Sequence, residues 1–389
     1  MHFTKSAAAL VAAGVLGIGT ATSAMSEEIQ MYGVIDYGIN YQYVDPDTHN
    51  ADSKSTFSMD SGMNSGSRIG IKGSEDLGNN TKIGFVLENG FTGDDGKMDN
   101  DDRLFGREAQ IYVTNPTYGT VSFGRVGQLA SANGTFGLLN EVSPFNDGWG
   151  DTIGVRNVTA NGWGRMDNTI TYVSPDLAGA KVHFQYSFKN DDNENGVEGR
   201  SSADRYYGAG VTYDAANWHV VGIVDSTNYS SLASAQNPGN DQVTMSLGGN
   251  YDLGYMKLHA FGQYFMNAKY VGNTAIQSND EIKYGYSFAG SNYGGADGFG
   301  ISLGTNVPLY GGNAKMSIGY MNAEADEDDD KEVSRLNIAV GYDYNLSKRT
   351  TVYTAMAYNW DSVSKEYRGV GKDTDPMSYE VLAGVVHRF

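Results

Sequence analysis

The 389-residue chain carries 51 Gly, 27 Tyr, only 7 Pro and no Cys, with a formal charge of −19 at pH 7. Such acidity excludes general nucleic-acid binding, which needs Lys and Arg to neutralise phosphates. The absence of Cys excludes disulfides and leaves an exported chain to be held by backbone pairing or a large core.

The first segment reads as a targeting signal. Met1 to Lys5 give a short, singly charged start, Ser6 to Gly19 are small and apolar, and Thr22-Ser23-Ala24 offers a small-residue cleavage site. The apolar run is too short for a permanent membrane helix, which needs roughly 20 residues. Residues 1–24 are therefore expected to be a cleaved signal peptide and 25–389 a single domain, with loss of Lys5 taking the charge from −19 to −20.

Gly stands at nearly double its usual share of about 7%. Together with the many aromatics it predicts numerous strands with tight bends, and it excludes a disordered chain. From Glu28 the pattern has period two, which argues strand and not helix. It opens on "EIQMYGVIDYGINYQY". In "SRIGIK", Ile69 and Ile71 share one face, and Arg68 and Lys72 take the other. In "TKIGFVLEN", Ile83, Phe85 and Leu87 oppose Lys82 and Glu88. In "RMDNTITY", Ile170 and Tyr172 oppose Arg165 and Asp167. "KVHFQYSFK" sets Val182, Phe184, Tyr186 and Phe188 against Lys181, His183, Gln185, Ser187 and Lys189. "SRLNIAVGYDY" sets Leu336, Ile338, Val340, Tyr342 and Tyr344 against Arg335, Asn337, Ala339, Gly341 and Asp343. "TVYTAMAYNW" continues the pattern, and the chain closes on "MSYEVLAGVVHRF".

Short Gly/Pro/Asn/Asp turns are expected at 75–80, 115–119, 174–180, 214–217, 251–255, 307–313 and 345–350. Longer polar stretches alternate with them, among them "TGDDGKMDNDD", "NDDNENGVEGRSS" and "NAEADEDDDKE". Most turns recur about every 40 residues, the signature of a repeated two-strand unit. Seven turns and eight long loops make sixteen strands. An even count requires "EIKYGYSFAG" to fall inside the sixth loop.

A soluble sandwich would put the apolar face into a core, but here the opposing face is rich in Gly, Ser, Asn, Lys, Arg and Asp. Short turns at one end and long loops at the other fit a transmembrane barrel. In hydrocarbon every backbone group must pair, so the sheet has to close. Around sixteen strands leave an aqueous channel. The last strand is expected to pair with the first, with Phe389 at the short-turn interface.

No catalytic reading emerges. The six His show no metal spacing, no Ser sits in a nucleophile elbow, and the Gly-x-Gly pairs do not precede helices. No metal site or cofactor is implied. "ADEDDDKE" lacks the spaced pattern of a calcium loop and reads as a solvated charge run.

"MYGVIDYGINY", "SRIGIKGSEDLGNNTKIGFVLENGF", "DDRLFGREAQIYV", "YGTVSFGR", "RMDNTITYVSPDLAG" and the closing "HRF" resemble the general-diffusion porins of Gram-negative bacteria. The likeness is to the β-proteobacterial, neisserial-type branch and runs from about Glu28 to Phe389. The resemblance implies an all-β fold, a homotrimer of 16-stranded antiparallel transmembrane barrels, each with its third extracellular loop folded inward. Acidic residues of that loop would face a basic wall across the pore. On this sequence the wall becomes Arg68, Arg107, Arg165, Lys82 and Arg125. Arg125 shares parity with Val121 and Phe123, which argues for a strand end or a bulge. The third loop would run from Val126 to Gly164. The family often has Pro-Glu-Phe-Gly-Gly near its tip. Here Phe145 follows Pro144, which leaves Glu141, Asp147 and Asp151 as the acid candidates. The implied function is passive diffusion of ions and small hydrophilic solutes. The alternatives are a substrate-specific channel of organic-acid or phosphate type, or a barrel adhesin. The implied surroundings are outer-membrane lipids, lipopolysaccharide and the barrel-assembly machinery, with Phe389 as assembly signal.

Overall fold

The structure, a computed structural model, describes residues 28–48, 52–146, 148–160, 162–191, 195–233, 237–273, 275–276, 282–283, 285–290 and 292–389. The expected signal peptide lies outside the described residues, as does Asp147.

Period-two segments pair where expected. Sixteen strands form one closed antiparallel sheet. They are β1 (Glu28–Asp45), β2 (in two pieces, Lys54–Ser61 and Arg68–Gly78), β3 (Thr81–Gly90), β4 (Glu108–Asn115), β5 (Gly119–Gly127) and β6 (Arg165–Val173). Next come β7 (Ala180–Ser187), β8 (Arg205–Asp214), β9 (Trp218–Asn228), β10 (Gln242–Asp252) and β11 (Lys257–Ala268). The ring continues with β12 (Ala296–Leu309), β13 (Gly312–Ala325), β14 (Asp328–Asn345), β15 (Thr350–Val363) and β16 (Met377–Arg388). Each pairs with its chain neighbours, and β16 closes on β1 from Val34↔Arg388 to Asp45↔Met377. Phe389 adds the last rung: its N–H and C=O bond the C=O and N–H of Gly33, both at 3.1 Å. No described helix is long and apolar enough to cross a membrane; the crossing is made by strands.

All seven short turns fall where the sequence places them. The run 281–290 lies in the connection from β11 to β12, where Tyr270–Val271 pairs with Tyr286–Ser287 as a small ladder off the ring. One expectation is corrected. "NAEADEDDDKE" is no long loop: β13 and β14 extend through it and turn at Asp326 and Glu327. Its carboxylates alternate on an extended hairpin, where they stay solvated while the backbone pairs.

The outer face is apolar. Ile71, Ile111, Phe123, Phe184, Val211, Leu247, Ile301, Ile318, Ile338 and Val381 are all exposed. So continuous an apolar surface marks contact with lipid. Buried apolar residues lie on the opposite face and in segment 128–164, whose Leu129, Leu139, Phe145, Ile153 and Val158 are at most 1% exposed.

Candidate functional site

The two pieces of β2 are separated by residues 62–67, an excursion organised by Asp36 of β1. That carboxylate is fully buried and accepts the N–H groups of Asn64 and Ser65, both at 2.7 Å, and the Tyr353 hydroxyl at 2.6 Å. The Ser67 hydroxyl receives the Asp36 N–H at 3.0 Å. A buried carboxylate satisfied this fully fixes the loop around it. The excursion in turn docks segment 128–164, since Gly150 N–H donates to the Met63 carbonyl at 2.8 Å.

Arg68 follows the excursion directly. Its Nε donates to the Gly66 carbonyl at 3.0 Å and its Nη2 to the Ser65 hydroxyl at 2.8 Å, while its Nη1 lies 3.7 Å from Glu88. Arg107 sits one residue before β4, outside the strand alternation, and its Nε reaches Glu88 at 2.6 Å. Gly66 permits this approach, because a Cβ there would stand 2.7 Å from the Arg107 guanidinium. Arg165 opens β6 and touches Asn100 Oδ1 at 3.4 Å; its Nε has no partner among the described residues. Arg156, from the 3-10 turn Val155–Val158, also has an unpartnered Nε among the described residues. These four arginines line one polar cavity of 530 Å³ with Glu88, Glu108, residues 132–135, Gly148 and Gly150. Glu108 is engaged by the N–H and hydroxyl of Thr135, at 2.6 and 2.9 Å.

Two of the five expected wall cations are elsewhere. Arg125 sits in a bulge, as its parity implied: the register between β5 and β6 shifts from Gly124 to Val126. Gly124 takes φ +129°, a conformation L side chains rarely adopt. Arg125 is held by Asp167 at 2.6 Å and does not line the cavity. Asp167 also binds Arg103, which continues to Asp191. Burial works against the Arg103 charge, but the two carboxylates outweigh it and raise its pKa. Lys82 lies next to the turn at 79–80 and is exposed, six residues along β3 from Glu88. Parity gave its face but not its height.

The two described acidic candidates of the segment also lie apart from this cavity. Glu141 points to the β10–β11 wall, where its carboxylate is 3.7 Å from Lys257 and 3.3 Å from Asn250. Asp151 accepts from Gln42 at 2.9 Å, and its N–H donates to Glu380 at 3.0 Å. Neither lines the arginine cavity. The carboxylates that do, Glu88 and Glu108, come from the wall itself, and segment 128–164 contributes a cation, Arg156. For Glu88 the signal was its inward parity opposite Arg68 and Lys72. Nothing in the sequence marks Arg156 or Asp36.

Segment 128–164 is bonded to the lumen-facing side of the wall at many points. Leu129 N–H donates to Gln185 at 3.1 Å, Ala160 N–H to Gln263 at 2.9 Å, and Thr152 N–H to Glu380 at 2.7 Å. Asn337 donates to the Thr152 carbonyl at 2.8 Å. Among the described residues no group of His, Asp and Glu could hold a metal ion.

A closed sixteen-stranded sheet, apolar outside and charged inside, is the build of a water-filled channel through a membrane. The Gram-negative porin profile matches residues 6–362, and the chain belongs to that family: it is an outer-membrane porin, a channel for passive diffusion and not an enzyme. It is similar to an outer membrane porin protein of Bordetella pertussis, 31% identical over 98% of this chain and 99% of the relative. Outer membrane porin protein 32 of Delftia acidovorans is 28% identical over 90% of this chain and 88% of its own. Among solved structures, an anion-selective porin from Comamonas acidovorans shares the fold with a TM-score of 0.66 at 23% identity, covering 94% of this chain and all of that one. The trimer form of OmpT from Vibrio cholerae matches with a TM-score of 0.58 at 13% identity, over 93% and 99% of the two chains.

Proposed function

We propose that solutes cross through the arginine-lined cavity, that segment 128–164 lies across the bore and narrows it there, and that the passage favours anions. The observation that carries this is the charge of the cavity: four guanidiniums face two carboxylates, and one of those, Glu88, is engaged by Arg107 and by the Tyr32 hydroxyl. Fixed charge in a confined, poorly screened passage concentrates the opposite ion. The anion selectivity named for the Comamonas structure supports the same reading.

The porin assembles as a homotrimer, supported by the trimeric form among its structural neighbours. Residues 1–24 are its cleaved export signal, and Phe389, hydrogen-bonded to Gly33, is the signal read by the barrel-assembly machinery. Outer-membrane lipids and lipopolysaccharide surround the barrel, and small hydrophilic solutes and ions pass through it.

Planar-bilayer recording across a salt gradient tests the reading. The wild type should give a reversal potential on the anion side. Arg68→Ala with Arg165→Ala should move it toward cations, and an unmoved potential would remove the cavity from the ion path.

A further inference from the structure

A second cavity, of 410 Å³, lies nearer the short turns, on the lumen face of β3 to β7 and beneath the 135–138 stretch of segment 128–164. Phe136, Leu138, Val173 and the ring of Tyr112 make it largely apolar; Lys181 and His183 are on its β7 side. Its size is within the range of small-molecule sites, about 300–1,000 Å³.

Two polar groups here have no protein partner for a charge or a ring nitrogen. Lys181 is half-buried and has no carboxylate or other hydrogen-bonding partner among the described residues. His183 is 6% exposed; its Nε2 meets the Thr212 hydroxyl at 3.1 Å, and its Nδ1 is buried with no partner among the described residues. Water can solvate the ammonium but gains nothing from the apolar floor beside it. It is well matched by a ligand with one negative charge and an apolar body.

We propose that this cavity binds small monocarboxylates that carry an aromatic or branched aliphatic body, with the carboxylate on Lys181 and the body against Phe136, Leu138 and Val173. Phosphate and other compact anions lack the body and gain nothing from that floor, so the arginine cavity suits them better. The proposal rests on the diffusion-channel reading and adds a solute class to it: the site would make the porin retentive for such acids while inorganic ions pass freely.

Single-channel recording with benzoate tests it. Wild-type current in chloride should be interrupted as benzoate rises into the millimolar range. Acetate (the same charge without the ring) and benzylammonium (the ring with the opposite charge) should each need at least tenfold more. Lys181→Gln and Leu138→Asn should each weaken the benzoate block about tenfold, the salt current itself reporting that each variant has inserted. Equal block by acetate and benzoate would overturn the proposal. So would block that survives Lys181→Gln but is lost in Arg68→Ala, which would place the acid in the arginine cavity. A chain that carries no current at all would instead overturn the diffusion-channel reading.

Discussion

The barrel holds arginine and carboxylate together on two separate stretches of wall, with different results. On the β14–β15 wall, Arg335 and Asp361 face each other directly across the ladder. The guanidinium is 0% exposed and bidentate, with both bonds at 2.7 Å. The Tyr286 hydroxyl also donates to Asp361, and the Tyr286 ring stacks under the guanidinium at 5.5 Å. Burial and the neighbouring Asp361 push the Tyr286 pKa far up, so this donor persists at alkaline pH. Around the pair, Phe265, Val271, Phe288, Met321, Val333 and Val363 form a dry cluster. The described stretches 270–273 and 285–290 are thereby fixed, and they hold segment 128–164 in turn: Gly272 N–H donates to Thr159 at 2.7 Å and Asn273 to Asp151 at 2.9 Å. On the β2–β6 wall the same residue types outnumber their partners and face an open polar cavity. One stretch is a lock and the other is the proposed ion path. Stoichiometry and water make the difference, because a fully paired buried ion is structural while surplus cations in water leave a field.

Mutations should separate the two. Asp361→Ala leaves Arg335 charged and buried and should cost about 3–5 kcal/mol. The expected readout is a lower temperature for loss of the folded band in heat-modifiability gels. It should be accompanied by noisier single-channel currents as segment 128–164 loses its support. Tyr286→Phe removes one donor and keeps the ring, so about 1 kcal/mol is expected in the same assay. Arg156→Ala should change stability by less than about 1 kcal/mol, yet move the reversal potential toward cations. A large stability loss there would mean that Arg156 is structural like Arg335, and the contrast would fail.

Much of this was legible in the sequence. Strand count, turns, the closing strand and the facing of Arg68, Arg165 and Glu88 follow from period two, because a charge on the lipid face costs about 2–4 kcal/mol. The parity of Arg125 allowed a strand end or a bulge, and the fold has the bulge. What was not legible has physical reasons as well. Parity is silent on depth, so Lys82 was placed with residues that lie toward the other end of the barrel. It is also silent within loops, so Glu141 and Asp151 were set against the arginines, while the fold sends them to the β10–β11 and β1–β16 walls.

By itself the sequence determined that this chain is a closed ring of sixteen strands with lipid outside and charge inside, since alternation and backbone pairing are local demands that every strand meets separately. Only the tertiary structure decided which charges meet. The partners of Arg335, Arg125 and Arg107 lie 26, 42 and 19 residues away, and segment 128–164 makes its wall contacts by packing and hydrogen bonding to residues far along the chain. No local rule encodes a contact that depends on where a distant chain comes to rest.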